Sequence, residues 1–212
     1  MKNNIERGFS YALNFESLQD LWAHLSYKSC KYCINKARKE GLKINIVNQF
    51  NDIRRFTHNH YNQLVDVCKR HGTHPKSSQS QKRMQQLCES LFPNRVLMIE
   101  VTGPDESGQQ QIMSSGIFCF DKGESIYFTG ASEQKYMKYC PNELMVWEAM
   151  RILHDKGAGS LNFGGMASYK LKFGTKYTFV PRLYFYKYSF FYSIKVFLFK
   201  GYHALRKFFT RK

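Results

Sequence analysis

In the first ninety residues apolar side chains recur at helical spacing. Leu18, Leu21, Trp22 and Leu25 follow Ser17, which together with Asp20 resembles a capping box, so a first helix is predicted there. A second helix is predicted over about 29–40, with Gly41 where a C-terminal cap belongs. Residues 44–47 form a short strand candidate. Phe50, Ile53, Tyr61, Leu64, Val65 and Cys68 mark one face of a long helix that Gly72 ends, with His58-Asn59-His60 read as part of its polar face. Residues 73–81 are polar and predict a loop, and 84–91 a shorter helix.

The period then changes. Residues 96–101, 112–120 and 124–130 predict three strands, separated by Gly103-Pro104-Asp105 and Asp121-Lys122-Gly123. Two such connections make an antiparallel meander. Asn142 is placed to cap a helix carrying Val146, Trp147, Met150 and Leu153, closed by Gly157. A strand over 160–163, a Gly-Gly turn, a short helix over 167–173 and a last strand over 177–180 follow. The order predicts a mixed α/β fold with a largely antiparallel central sheet.

Length and composition fit one globular domain with an appendage: 212 residues, 43% hydrophobic. That apolar content excludes a disordered chain. Charge changes the picture more. Lys plus Arg outnumber Asp plus Glu by 32 to 16, a net +16, which predicts an anionic partner. Residues 181–212 hold eight basic residues and no acid. In the same tail Phe190, Phe191, Ile194, Phe197, Leu198, Tyr202, Leu205, Phe208 and Phe209 recur at helical spacing. Lysines every few residues disfavour a spanning helix. The tail, 183–212, is therefore read as a basic amphipathic helix on an anionic membrane surface, set against a helix packed on its own domain. Residues 1–182 form the main domain.

Residues 1–10 are polar, so no secretory signal is expected. Six cysteines in such a chain read as reduced thiols, and the location expected is cytoplasmic, peripheral to the inner face of the membrane. Cys30 and Cys33, with Cys68 and His71, have metal-knuckle spacing. They fall within predicted helices, however, and no metal is expected. Cys119 and Cys140 have no histidine beside them in the local sequence and are not taken as nucleophiles.

Four local patterns that can carry chemistry occur in order. Tyr127-Phe128-Thr129-Gly130-Ala131-Ser132 is a strand ending in small residues. Pro141-Asn142 opens the Trp147 helix. Asn162-Phe163-Gly164-Gly165 closes a strand in a glycine pair, and Tyr169-Lys170-Leu171-Lys172-Phe173-Gly174 follows it. Small residues at strand ends let a ligand approach the backbone, and helix N-termini offer N–H donors to anions. A lysine just past the glycine pair can reach a phosphate or an oxyanion.

This order resembles the Fem-type aminoacyltransferases and related bacterial GNAT-fold acyltransferases of the cell envelope and exopolysaccharide pathways, over about residues 10–182. The family's second GNAT domain runs Tyr-x-x-Gly-Ala-Ser, a Pro-Asn helix start, Asp-Phe-Gly-Gly and Phe-Lys-x-x-Phe/Trp-Gly. Here Tyr169 replaces Phe, Asn162 stands in place of Asp, and Thr129 stands where an aromatic is common. The helical stretch with Lys31, Ile34, Lys36, Ala37 and Gly41 also looks like a family segment. Family members usually carry two such domains, and this chain has room for one, so a separate first-domain partner chain is one implication.

The resemblance implies a GNAT-like N-acyltransferase fold and acyl transfer from a donor to an amine. Lys170 would take the anion-binding or transition-state role. Tyr127 would line the acceptor pocket, and Glu100, late in the first meander strand, is the candidate base. Gly130, Ser132, Asn142, Asn162, Gly164, Gly165, Tyr169, Lys172 and Gly174 would contact substrate or donor. Acyl-CoA (acetyl-CoA) is the first donor implied, in envelope or polysaccharide biosynthesis. No Arg/Gln-x-x-Gly-x-Gly/Ala pyrophosphate loop is present, so CoA is implied by the resemblance alone; aminoacyl-tRNA is the second donor, because of the charge and the Fem resemblance. The rival reading is a non-catalytic module binding membrane or nucleic acid on a degenerate GNAT fold.

Overall fold

The computed structural model describes residues 3–165, 167–185 and 194. Its strands are β1 (Asn3–Asn14), β2 (Lys43–Ile46), β3 (Val96–Pro104), β4 (Gln110–Asp121), β5 (Glu124–Ser132), β6 (Ser160–Asn162) and β7 (Lys176–Phe185). They form one sheet in the order β2-β3-β4-β5-β6-β1-β7. Every pairing from β2 to β5 is antiparallel, and so is β6 with β1. The exception is β5 with β6, which is parallel and spans only Glu124–Ile126 against Ser160–Asn162. The predicted mixed α/β fold with a largely antiparallel central sheet is the observed one.

The helices are α1 (Leu18–His24), α2 (Tyr32–Lys39), α3 (Ile53–Arg70), α4 (Gln81–Leu91) and α5 (Pro141–Asp155). Ser17 caps α1, its Oγ accepting the Asp20 N–H at 3.1 Å. A single π-turn, Tyr27–Lys31, runs straight into α2. Gly41, Gly72 and Gly157 end their helices at φ 75°, 63° and 82°, as the glycine positions predicted.

Helices cover both faces of the sheet. Leu97, Ile99 and Val101 point into a core with α1, α2 and α5, where Trp22 meets Trp147 edge to face at 4.9 Å. Val96 and Met98, alternating with them, point into a second core with Ile53 and Phe56 of α3 and Met84 and Cys88 of α4. A strand buried on both faces reads as a continuous apolar run rather than an alternation, as 96–101 does.

The polar N-terminus forms a long strand, β1, that no sequence signal predicted. Its apolar residues are spaced singly (Ile5, Phe9, Tyr11, Leu13), and its partner β6 lies some 150 residues away, so no local signal marks it. β7 runs to Phe185, past the boundary drawn at 182. The rest of the predicted tail helix lies outside the described residues, apart from 194. His60 is fully buried, not on a polar face.

Residues Ser10–Thr178 form one compact unit, and residues 1–9 with 179–212 form a second. In the second, Phe9 meets Phe179 edge to face at 5.9 Å. Among the described residues no helix is long and apolar enough to cross a membrane.

A bulge in β5 sets the geometry of its far end. Ile117 pairs with Thr129 but Phe118 pairs with Tyr127, so Phe128 is the extra residue. The extra residue brings Tyr127 and Gly130, three apart, to the same face. The Tyr127 hydroxyl lies 1.8 Å from where a Gly130 Cβ would stand. Gly130→Ala should therefore cost about 2 kcal/mol by overpacking and displace the Tyr127 ring. Denaturant titration together with tyrosine fluorescence checks this; an unshifted midpoint would show that the ring crossing is not tight.

On the other face His60 stacks on Phe56 at 5.8 Å inside a polar chain. Gln63 Nε2 donates to the Ile112 carbonyl at 3.0 Å, which turns its Oε1 toward Ser115. Ser115 donates its only hydrogen to that oxygen at 2.5 Å, so the 2.7 Å contact with His60 Nδ1 needs the imidazole to donate. Nε2 is then left to accept from Thr129 at 3.4 Å. Burial lowers the His60 pKa from 6.5 to about 4. Above pH 6.5 neither folded nor unfolded His60 is charged. As pH falls from 6.5 toward 4 only the unfolded state takes the proton, so stability is lost across that window, by up to about 3 kcal/mol. His60→Asn, which keeps a donor near the Nδ1 position, should flatten the loss. Urea unfolding at pH 7, 5.5 and 4.5 for both proteins tests this, and equal slopes would remove His60 as the cause.

Candidate active site

The parallel contact between β5 and β6 stops at Ile126 and Asn162. Beyond it β5 continues to Ser132, while the chain after β6 turns away through Gly164 and Gly165 at φ 61° and 64°. The diverging strands leave a cavity of about 410 Å³. Its walls come from Tyr127, Gly130, Ala131 and Ser132 of β5, the start of α5 from Cys140 to Glu143, Cys33 of α2, Arg70 and His71 at the end of α3, and Tyr169 and Lys172 of a 3-10 turn, Ser168–Phe173.

Of the residues singled out from sequence, the fold thus gathers Tyr127, Gly130, Ser132, Asn142, Tyr169 and Lys172 around one space. Tyr127 is held from two sides. It stacks on Phe118 at 4.9 Å and meets Phe163 edge to face at 5.9 Å, and Phe163 stacks on Phe173 at 5.5 Å. Burial pushes its phenol well above the usual value, so it is a hydrogen-bond donor rather than a phenolate.

Asn142 does not cap α5 as expected. Pro141 is the first helical residue, and the cap position is Cys140, which makes no side-chain capping bond. Asn142 and Glu143 fall in the first turn, where the helix dipole favours the Glu143 carboxylate. Lys172 donates to Glu143 Oε1, and both side chains are mostly buried. Arg70 donates to the Ser132 carbonyl at 2.8 Å and fixes the end of β5. Its Nε lies 3.4 Å from Asp66 without the alignment for a hydrogen bond.

The remaining residues stand elsewhere. Lys170 is 7% exposed, is not part of the cavity wall, and donates to the carbonyls of Phe163 (2.7 Å) and Gly164. Burial, and then Lys76, lower its pKa. In this position it holds the Gly164-Gly165 turn. Asn162 does the same from below, its Oδ1 accepting from Gly164 N at 2.8 Å and from Ser10 at 2.5 Å. An amide oxygen serves that purpose as a carboxylate would, so the Asn-for-Asp exchange keeps the turn. Gly174, at φ 78°, ends the 3-10 turn where a Cβ would meet the His24 backbone oxygen at 3.0 Å. Glu100 lies two strands away on β3, buried and bound by Arg55 through three contacts of 3.0 to 3.2 Å. The structure does not bring it to the cavity.

Sequence reasoning missed Glu143 and Arg70, and it named Cys33, His71 and Cys140 only to set them aside. Glu143 directly follows the Pro-Asn pair, and a reading of first-turn acids would have found it. Nothing local shows that the others meet, because three separate helices bring them together. Burial pushes the Cys140 thiol up to about 12. Cys30 and Cys119 are raised likewise, to about 12 and about 11, so these cysteines are thiols at neutral pH and poor nucleophiles.

The chain matches no curated protein sequence. Among solved structures, FemX superposes with a TM-score of 0.64 at 12% identity, over 80% of this chain and 59% of that one. A DUF2156 domain from Agrobacterium fabrum gives 0.49 at 12% identity over 85% and 60%. L-PGS from Bacillus licheniformis gives 0.48 at 10% over 78% and 48%. The chain thus spans about three fifths of the length of FemX, whose likeness shows a common fold. Residues 43–207 match the model of the FemAB family, and the chain belongs to that family.

Proposed function

We propose that this chain transfers an aminoacyl group from an aminoacyl-tRNA to an amine of a cell-envelope precursor. The observation that carries the reading is the Lys172–Glu143 pair set beside the Tyr127 hydroxyl in the cavity of a FemAB-family fold. The same reading places aminoacyl-tRNA ahead of acyl-CoA, reversing the order drawn from sequence. Family membership supports the change. So does the approach to α5, a 3-10 turn without glycine (Gln134–Tyr139) whose Lys135 and Lys138 are tied to Glu133 and Glu106. Pro141 removes one further N–H. That entrance is a poor cradle for a pyrophosphate, whereas a net +16 suits tRNA.

In the proposed reaction the acceptor amine attacks the ester carbonyl of the donor. The C–N bond forms, the amine proton passes to Glu143, and the Lys172 ammonium and Tyr127 hydroxyl donate to the oxyanion. Collapse breaks the bond to the ribose oxygen, which takes the proton from Glu143. The products are an amide and a free tRNA hydroxyl. Lys170 and Asn162 keep the Gly164-Gly165 turn in place and touch neither reactant. The basic stretch 183–212 would hold the protein near anionic lipid, where such acceptors are found.

The test follows label from a total pool of radioactive aminoacyl-tRNA into an extract of envelope precursors, with acetyl-CoA in parallel. Transfer from tRNA, lowered about 10²-fold or more by Lys172→Ala and by Glu143→Gln, is expected. Transfer from acetyl-CoA alone, or full rates in both variants, would overturn the reading. Lys170→Ala should behave differently, losing about 1–3 kcal/mol of stability because two carbonyls lose their donor. Thermal unfolding checks this, and an unchanged midpoint would return Lys170 to a role in the reaction itself.

A further inference from the structure

One wall of the cavity has a feature that the transfer reaction does not use. Cys140 is one of two non-glycine residues with positive φ among those described, at 59°, and it directly precedes Pro141. An L-residue there costs about 1–2 kcal/mol, and such conformations concentrate at functional positions. The conformation brings the Cys140 sulfur within 4.8 Å of the Cys33 sulfur on α2. The Glu143 carboxylate, three residues on, completes a triangle: one ligand atom from each of the three residues, all within 4.8 Å of one another.

We propose that Cys33, Cys140 and Glu143 form a binding site for a borderline-soft divalent cation of the zinc class. Two sulfurs and one carboxylate select such a metal over magnesium or calcium. With metal–ligand bonds of about 2.0–2.3 Å, the edges of a tetrahedral site are about 3.5–3.8 Å, so side-chain rotations of roughly 1 Å close the triangle. A bound cation deprotonates its thiols outright. Two thiolates and a carboxylate then carry three negative charges, against two on the metal. The Lys172 ammonium, already on Glu143 Oε1, supplies the remaining positive charge and leaves Oε2 for the metal. Three protein ligands leave a fourth position, open to the cavity. Occupancy would draw Glu143 from the acceptor amine and slow transfer; that consequence rests on the transfer reading, and the site itself does not.

The full chain is titrated with cobalt(II) under a non-thiol reductant, so that no disulfide interferes. A thiolate-to-cobalt charge-transfer band saturating at one equivalent, with tetrahedral visible bands and reversal by zinc, is expected. Cys33→Ser, Cys140→Ser and Glu143→Gln should each weaken binding at least tenfold, while Cys68→Ser leaves it unchanged. The unaltered protein gives a second readout: zinc should protect Cys33 and Cys140, but not Cys68, from alkylation read by mass spectrometry. Absence of the charge-transfer band at one equivalent, or equal labelling of Cys33 and Cys140 with and without zinc, overturns the proposal whatever the transfer activity.

Discussion

Four aromatic rings in contact, Phe118 on β4, Tyr127 on β5, Phe163 just after β6 and Phe173 at the end of the 3-10 turn, hold this fold together where its sheet comes apart. The parallel pairing of β5 with β6 lasts three residues, too short to fix two diverging segments by backbone hydrogen bonds alone. Ring stacking spans the gap instead, and buried rings contribute both area and orientation. Because Tyr127 is clamped by neighbours on both sides, its hydroxyl crosses over Gly130, and no side chain fits there. The bulge at Phe128 is what makes that crossing geometrically available.

The cavity is a consequence of the same divergence. Two polar side chains secure the turn that opens it, the buried Lys170 and the half-buried Asn162. Its reactive-looking groups come from the rim, Lys172 and Glu143, which face each other across the opening. Lys170 and Lys172 lie two positions apart and act in different places. In a 3-10 turn of three residues per turn, positions two apart cannot share a face, so one lysine goes inward and the other outward.

Helices and meander strands were legible because their signals are local. Ser17 and Asp20, Gly41, Gly72 and Gly157, and the two turns flanking 112–120 act within a few residues of themselves. β1 was not legible, since its partner lies at Asn162 and nothing in Asn3–Asn14 marks a turn or a two-sided apolar run. His60 was misplaced because a polar triplet on a helix looks solvated until Ser115 and Thr129 are found opposite it. The pairing of Glu100 was hidden for the same reason: Arg55, its partner, is brought to it only by the packing of α3 on β3.

The sequence by itself determined the element order after β1, the antiparallel meander, the family through its four ordered motifs, and six residues of the cavity. Those features depend on turn chemistry, periodicity and spacing, which are written in neighbouring residues. Only the tertiary structure decided which polar residues face the cavity and which brace it. It put Lys172 and Glu143 on the cavity wall and Lys170 and Glu100 off it, and it brought Cys33 beside Cys140. These choices depend on where the splay between β5 and β6 opens and on the helices that close over it, contacts between residues tens to more than a hundred positions apart that no local pattern encodes.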